Sequence, residues 1–328
     1  MNEFVCAPVV IPTLCRHNHL MRCIESLKKN KYAKYTELYI GVDYPANDTH
    51  VDGYKKICKY LEGNFDEFLA VHIYKRQYNF GVSNNIRALF EVVTKKYEKF
   101  IFSEDDIEFS SNYLEYMNSC LDYYEEDSNA IAVAGYSHPL KWRIEKGKNV
   151  FKNNFIHNMW GVGLWTKKFL KVNNDLENGY LRKKFNEFNF FKAKGNMIDA
   201  RLCSFIESCL NNDHNLIDVY SDMSCASYLY FDNKYVISPI ISKVRNCGFD
   251  GTGVHCTNNS KVNTFHALFY DYGSQDIDCE SIFILNPDNN FPSKVNRDLM
   301  NDFFSIDAKM QIKIFVKFML KRYFNYKW

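Results

Sequence analysis

The chain has 328 residues, 46% of them hydrophobic and 24% charged, and a formal net charge of +2. The near-neutral charge excludes a chain-wide attraction to nucleic acid, and the apolar content excludes intrinsic disorder. The length suits one large α/β domain with an extension. No apolar stretch of the sequence reaches the ~18–20 residues that span a bilayer.

The eleven cysteines do not form a metal-binding pattern. Their spacing contains no C-x-x-C pair and no Cys/His ladder of the kind that holds zinc. The first residues also lack the basic-then-apolar pattern of a secretory signal. We therefore expect reduced, mostly buried thiols in a cytoplasmic protein.

The first hundred residues repeat one unit, an apolar run followed by a helical pattern. The apolar runs lie at 4–14, 37–44, 68–74 and 99–106. A spacing of roughly thirty residues is typical of βαβ units. The runs show no polar alternation, as expected for strands buried on both faces. The pattern predicts an α/β fold with a mostly parallel, doubly wound sheet and right-handed crossovers.

Polar segments follow each of these four runs. In order, they are PTLCRH (12–17), Asp43, YNFGVSNN (78–85) and SEDD (103–106). Because ligands of open parallel sheets bind beyond the carboxyl ends of the strands, we expect the four segments to meet at one edge.

The SEDD segment places three consecutive carboxylates in one turn. A strand-end acidic turn can hold Mg²⁺ or Mn²⁺ through one or two carboxylates and leave positions for substrate phosphates. We predict Asp106 as the metal ligand, Asp105 facing a ribose or the metal's water shell, and Glu104 meeting a sugar hydroxyl. The alternative is a solvated acidic loop.

Two further segments of this edge carry candidate donor-binding groups. Asp43 can accept a hydrogen bond from a uracil N3–H or a ribose hydroxyl, or it can stabilise the following turn. Gly81 permits a close backbone turn, and Asn84 and Arg87 open the next helix, where a phosphate or a base edge fits. Simple capping of that helix is the alternative for Asn84.

The second half of the chain is less regular. Residues 130–139 read as a strand, and 154–170 join a strand to a helix through a Gly-Trp turn. Apolar residues at three-to-four spacing predict a helix over 198–212. Residues 236–256 read as a strand followed by a glycine-rich loop.

The last segment, 308–328, is a basic amphipathic helix in pattern. Lys309, Lys313, Lys317 and Lys321 recur every four residues, beside apolar and aromatic residues. This pattern is typical of a helix that lies on an anionic membrane surface. An ordinary terminal helix docked on the domain with its lysines outward is the alternative.

The motifs in combination resemble a glycosyltransferase of the GT-A fold. PTLCRHNHLMRCIESL, VD, NFGVSNNIRAL and SEDDIEFSSNYLEYM are similar to bacterial sugar transferases related to N-acetylglucosaminyltransferase I and to family 2 glycosyltransferases. NMWGVGLWTKKF resembles their Gly-Trp acceptor-side segment, and ISPIISKVRNCGFDGTGVHC their closing segment. The resemblance covers about residues 5–256 and implies the GT-A fold, a Rossmann-like arrangement for nucleotide-diphospho-sugar transfer.

The resemblance also implies roles for single residues. Asp106 would be the metal ligand, with His255 completing the metal or diphosphate site from the C-terminal side. Asp105 would face the ribose and Glu104 the donor sugar. The remaining donor-binding candidates are Thr13, Arg16, Asp43, Gly81, Asn84 and Arg87. Asn84 stands where the eukaryotic relatives carry a histidine, and His255 can also be a loop histidine without a ligand.

An inverting transfer needs a carboxylate that takes the proton of the acceptor hydroxyl. In the resembled family this group precedes a helix after the Trp segment, which selects Asp199 here. The expected neighbouring tryptophan is absent, so Asp213, Asp218 and Glu207 remain rivals. Capping of the helix 198–212 is the structural alternative for Asp199.

These observations predict a GT-A domain over 1–256 and a C-terminal extension over 257–328. Residues 1–110 would form the nucleotide-binding half and 111–256 the acceptor-binding half. The expected partners are a nucleotide-diphosphate sugar, favouring UDP, a glycan or lipid-linked acceptor, and the inner face of the membrane, with no nucleic acid. The reaction would use Mn²⁺ or Mg²⁺ and serve bacterial surface polysaccharide synthesis.

Two other functions compete with this one. A nucleotidyltransferase also places acidic residues at strand ends, although VIPTLCRHN lacks the phosphate-cradling glycines that such enzymes use. An inactive carbohydrate-binding module is the other alternative, and the intact SEDD and GFDGTGVH segments argue against it.

Overall fold

The structure is a computed structural model. It describes residues 6–143, 149–154, 157–187, 215–253, 272–279, 298–300, 302 and 308–324. The predicted helix 198–212 lies outside these residues, as do Asp199, Glu207, Asp213 and His255. The cysteines in the described part of the chain are free thiols, as expected.

A sheet of eight strands forms the centre of the protein, in the order β3-β2-β1-β4-β8-β6-β9-β7. The first four strands of this order are parallel, as the βαβ pattern predicts. Strand β8 then pairs antiparallel with both β4 and β6. The sheet is therefore mixed and mostly parallel, flanked by helices, which confirms the predicted fold class.

The element bounds follow the sequence pattern, with strands shorter than the apolar runs. The strands are β1 Val9–Thr13, β2 Glu37–Val42, β3 Ala70–Lys75, β4 Lys99–Phe102, β5 Ile107–Phe109, β6 Ala130–Ala134, β7 Val150–Asn153, β8 Val162–Trp165, β9 Tyr235–Pro239 and β10 Val244–Asn246. The helices are α1 His17–Lys28, α2 Asp48–Tyr60, α3 Val82–Lys96, α4 Tyr113–Tyr123, α5 Thr166–Glu177, α6 Tyr180–Glu187, α7 Asp222–Asp232 and α8 Ala308–Phe324.

The central strands are buried on both faces. Val10 belongs to one hydrophobic cluster, whereas its neighbours Val9 and Ile11 belong to the other. Successive side chains of a strand point to opposite faces, so each strand contributes to two cores. This two-sided burial explains why the apolar runs lack polar alternation.

A second, two-stranded sheet pairs β5 with β10, antiparallel, with Ile107 opposite Asn246. The bidentate ion pair of Arg245 with Glu108 links the two strands at 2.9 Å for each hydrogen bond. β5 begins directly after the SEDD segment. Because β10 runs antiparallel to β5, the residues that follow β10 lie opposite the SEDD segment.

The last described helix, α8, docks on the domain through one face. Phe318 is buried, and Phe315 and Met319 pack against the core. None of the helices in the described ranges combines the length and the apolar character needed to cross a bilayer.

Candidate active site

The carboxyl ends of β1 and β4 meet at a network of charged side chains. Thr13, the last residue of β1, donates its hydroxyl proton to Asp105 Oδ2 at 2.7 Å. Arg16, just before α1, donates from Nη1 to Asp106 Oδ2 at 2.8 Å and from Nη2 to Asp105 Oδ1. One planar guanidinium thus spans two carboxylates with its two Nη atoms, in a fixed fork geometry that the single ammonium of a lysine lacks.

The network shifts the pKa values of Arg16 and Asp105. Burial of Arg16 disfavours its charge, but Asp105 and Asp106 outweigh burial and raise the pKa of the guanidinium. Burial raises the pKa of Asp105, while Arg16 and Thr13 counteract it. Both oxygens of Asp105 already accept a hydrogen bond from the protein, so this carboxylate is anchored within the fold.

Asp106 differs from Asp105 in one oxygen. Its side chain is 8% exposed, and its Oδ1 is buried without a hydrogen-bond partner among the described residues. A buried carboxylate oxygen without a partner is costly unless a ligand or water satisfies it. The donor set fits a divalent cation, since Mg²⁺-type sites use one or two carboxylates together with substrate phosphates and water. Within the described ranges no group of three or more His, Cys, Asp and Glu side chains could form a metal site by itself.

The Asp43 carboxylate organises the neighbouring edge of the sheet. Its Oδ1 accepts hydrogen bonds from the backbone N–H of Phe80 at 2.8 Å and of Tyr44 at 2.9 Å. The amide of Asn79 lies 3.4 Å from its Oδ2. Asp43 therefore ties the end of β2 to the loop before α3, which is the turn role that the sequence left open.

The loop before α3 places the other predicted donor-binding residues. Gly81 has a φ of +73° and caps α3, a conformation that favours glycine. Asn84 donates to the Phe80 carbonyl at 2.9 Å and is exposed. Arg87, one turn into α3, is also exposed. Phe80, which Asn84 contacts, is itself bound by Asp43, whereas the Arg16 network occupies the β1–β4 end of the same edge.

A residue that the sequence analysis missed, Asp222, joins the acidic cluster from α7. The Asp222 carboxylate accepts a hydrogen bond from the backbone N–H of Met159 at 2.9 Å. Burial raises the pKa of Glu104 well above its ordinary value, and Asp106, Asp222 and Asp105 raise it further. Asp222 therefore lies within electrostatic reach of Glu104, although 118 positions (222 minus 104) separate them in the chain.

Burial also raises the pKa of Asp222, to about 7. The Met159 N–H counteracts this shift only in part. His157, two residues before Met159, is also buried, with its ring edge to face against that of Tyr220 at 5.9 Å. Burial lowers the pKa of the His157 imidazole to about 4. A group poised near pH 7 can exchange protons with a substrate.

The local sequence around Asp222 carried a signal for this position. Ser221 caps α7, and its side chain and that of Ser224 form a reciprocal capping box. Such a box marks a helix start, where a first-turn acid such as Asp222 is placed. The rival candidate Asp218 instead pairs with Arg182, whose Nε lies 2.8 Å from Asp218 Oδ1. Its carboxylate is therefore engaged in a surface ion pair.

Comparison with known proteins gives two kinds of result. Among solved structures, TarS from S. aureus is 12% identical over 52% of this chain and 30% of its own, with a TM-score of 0.36. TarS 1–349 in complex with UDP-GlcNAc is 13% identical over 52% of this chain and 48% of its own, with a TM-score of 0.37. The mannosyltransferase PcManGT from Pyrobaculum calidifontis, in complex with GDP-Man and Mn²⁺, is 11% identical over 52% and 47%, with a TM-score of 0.36. This chain thus spans less than half the length of these proteins.

A search of curated proteins finds no match. The family model described as Glycosyl transferase family 2 matches residues 9–178, more than half of the chain. This range contains β1 to β4 and the whole SEDD segment, so it includes the network around Asp106. The chain belongs to glycosyltransferase family 2.

Proposed function

We propose that this protein transfers a sugar from a nucleotide-diphosphate sugar, favouring UDP, to a glycan or lipid-linked acceptor. The reaction is inverting and metal-dependent, and it serves bacterial surface polysaccharide synthesis on the cytoplasmic side of the membrane. One observation carries the proposal: in a family 2 domain, a buried Asp106 oxygen lacks a partner among the described residues, beside the cation of Arg16.

Asp106 would hold the divalent cation, and His255, which lies outside the described residues, stays a predicted second ligand. Such a metal supplies positive charge to the diphosphate as it departs. Arg16 adds a fixed positive charge next to the same carboxylate. Thr13 and Asp105 hold Arg16 in place, so in this proposal they support the donor site without reaching the donor sugar.

The nucleoside would lie at the β2–β3 end of the edge. The loop that Asp43 ties down presents Asn79 and the exposed Asn84, whose amides can donate to and accept from a base edge. Arg87 stays a predicted phosphate or base contact. Glu104 stays the predicted contact of the donor sugar.

Asp222 is our candidate for the catalytic base within the described residues. It lies near Glu104, its pKa is close to neutral, and the Met159 N–H orients one of its oxygens. A base with these properties can take a proton from an acceptor hydroxyl that attacks the donor sugar. Asp199 remains the prediction from family resemblance, so the two aspartates are competing candidates.

The proposed function is tested by calorimetry of the intact protein with UDP-, GDP- and CMP-sugars, each with and without Mn²⁺. We expect binding of a diphosphonucleotide sugar that is strengthened by Mn²⁺, because Asp106 would hold a metal that supplies positive charge to the diphosphate. CMP-sugars, which lack a diphosphate, serve as the control. Absence of nucleotide binding in every titration would contradict the proposal and favour a non-catalytic carbohydrate-binding module.

The exposed side of α8 supports attachment to a membrane. Ile312 is 63% exposed and Val316 50% exposed, and Phe324 near the helix end is 73% exposed. Lys309 and Lys313 lie beside this apolar strip and are exposed as well. Apolar side chains next to lysines suit the interface of an anionic bilayer. Because α8 docks on the domain through its opposite face, this face is available for such contact.

Replacing Ile312 and Val316 with serine is expected to reduce co-flotation of the full-length protein with anionic vesicles severalfold, because buried apolar area contributes to interfacial binding. Leu170→Ser, which changes an exposed leucine on α5, is the matched control. Equal flotation of the double variant and the wild type would exclude this face of α8 as the contact.

A further inference from the structure

The chain after β10 lies directly on the Asp106 backbone. In the antiparallel ribbon Asn246 is opposite Ile107, so Cys247 is opposite Asp106. The Cys247 N–H donates to the Asp106 carbonyl at 2.9 Å, which extends the ladder by one residue. His19 Nε2 lies 3.2 Å from the Cys247 carbonyl and secures the segment from α1. Main-chain register therefore determines where the next residue, Gly248, is placed.

Gly248 packs against the Asp106 carboxylate so closely that no side chain fits. A Cβ at this position would lie 2.0 Å from Asp106 Oδ2 and 3.1 Å from Arg16 Nη1. Real Cβ atoms do not approach an oxygen to 2.0 Å, so any other residue must displace the carboxylate or the segment. The Asn246 side chain accepts a hydrogen bond from the Gly248 N–H at 2.7 Å and holds the glycine there.

The two oxygens of Asp106 therefore have different surroundings. Oδ2 accepts the hydrogen bond from Arg16 at 2.8 Å and is covered by Gly248. Oδ1 is buried and has no partner within the described part of the chain. A cation that approaches this carboxylate meets one engaged oxygen and one oxygen whose bonding capacity is unused.

We propose that Arg16 and Gly248 restrict Asp106 to a single metal-binding oxygen, Oδ1, and that Gly248 is a positioning residue for the metal. This inference rests on the proposed metal-dependent function. A single carboxylate oxygen leaves the other positions of an octahedral Mg²⁺ or Mn²⁺ for phosphate and water. Arg16 also offsets part of the negative charge of Asp105 and Asp106 through its two ion pairs.

The test measures Mn²⁺ affinity in the presence of UDP, by electron paramagnetic resonance, so that it does not depend on turnover. Gly248→Ala is expected to weaken Mn²⁺ binding by about 10- to 100-fold, the range seen when groups that orient a ligand are changed. Gly63→Ala, at an exposed turn remote from the site, is the control and keeps the wild-type affinity.

A second variant keeps the test decisive if Gly248→Ala does not fold. Asn246→Ala removes the hydrogen bond that holds Gly248 without adding an atom near Asp106. It is expected to weaken Mn²⁺ binding severalfold, and circular dichroism verifies that each variant is folded.

Wild-type Mn²⁺ affinity in a folded Gly248→Ala protein, or in Asn246→Ala if the first variant unfolds, overturns the inference. That result leaves the proposed function intact when Asp106→Asn still abolishes Mn²⁺ binding. A wild type that does not bind Mn²⁺ with UDP instead contradicts the metal dependence on which the inference rests.

Discussion

Replacing Asp222 with asparagine lowers the rate of sugar transfer by about 10²- to 10⁴-fold, the contribution typical of a positioned general base. The amide keeps the size of the carboxylate and can still accept the hydrogen bond from the Met159 N–H, but it cannot take a proton. Binding of the nucleotide sugar is expected to change much less than the rate, because in the proposed arrangement neither the metal nor the nucleoside contacts Asp222. Single-turnover kinetics and donor calorimetry measure the two effects separately.

Two control variants make this prediction specific. Asp218→Asn changes an aspartate of the same region that pairs with Arg182 at the surface, and it is expected to retain activity. Asp199→Asn tests the competing candidate in the same assay. Full turnover in Asp222→Asn together with loss of turnover in Asp199→Asn would assign the base to Asp199.

The pKa of Asp222 gives the same prediction a pH dependence. The base acts in its ionised form, so the wild-type rate rises with pH through about 7 and levels off above it.

The contribution of Asp222 to the stability of the fold has the opposite pH dependence. The folded-state pKa is raised above the ordinary 3.8, so the folded protein retains the proton longer than the unfolded chain. Its stability therefore falls as pH rises from about 4 to about 7. Asp222→Asn removes this cost, and its melting temperature should exceed the wild-type value more at pH 8 than at pH 5.

Replacing Arg16 with methionine lowers the free energy of unfolding by about 3 kcal/mol, the lower end of the range for removing one partner from a buried ion pair. The variant leaves Asp105 and Asp106, with side chains 6% and 8% exposed, without their cation. The lower end applies because the Arg16 side chain is itself 23% exposed and partly screened by water. Urea denaturation at pH 8 measures the effect.

The same variant should be less destabilised at pH 5. Burial raises the pKa of Asp105 and Arg16 counteracts it, so without Arg16 the Asp105 carboxylate binds a proton more readily in the folded state, and its repulsion of Asp106 falls as pH decreases. Arg182→Met is the matched control, because the Arg182–Asp218 pair is 45% and 33% exposed. The free energy of unfolding of Arg182→Met should fall by less than about 1 kcal/mol. Equal losses in the two variants would show that the Arg16 network does not behave as a buried ion pair.

The part of the site that lies at the ends of local elements could be predicted from the sequence. Thr13, Asp43 and Glu104–Asp106 each follow an apolar run, and the parallel arrangement of β1 to β4 brings them to one edge. Local periodicity determines where each strand ends, and the βαβ rule determines which ends meet. No long-range information is needed for this half of the site.

The other half depends on contacts between distant segments. Gly248 reaches Asp106 because β10 pairs with β5, and the Arg245–Glu108 pair of that ribbon is separated by 137 positions. The Met159 N–H and the Asp222 carboxylate are separated by 63 positions. The three-residue strands β5 and β10 have too short a pattern to reveal their partners. Met159 lies in a loop, for which periodicity predicts no partner.

Asp43 shows a further limit of sequence reasoning. Its position predicted either a donor contact or a turn, and the structure shows that Oδ1 accepts two backbone N–H groups of the adjoining loops. The sequence could not show these partners, because they depend on how β2 and the loop before α3 approach each other; the donor contact of Asp43 stays a prediction. The same holds for Asp105, whose oxygens are engaged by Thr13 and Arg16.

The most direct test of Asp106 as the metal ligand is the anomalous scattering of Mn²⁺ in a crystal soaked with MnCl₂ and a UDP-sugar. We predict one manganese peak in contact with Asp106 Oδ1 and with the diphosphate of the nucleotide, while Arg16 retains its hydrogen bond to Oδ2. Bound nucleotide sugar with manganese remote from Asp106, or with Asp106 turned away from both, would contradict the account.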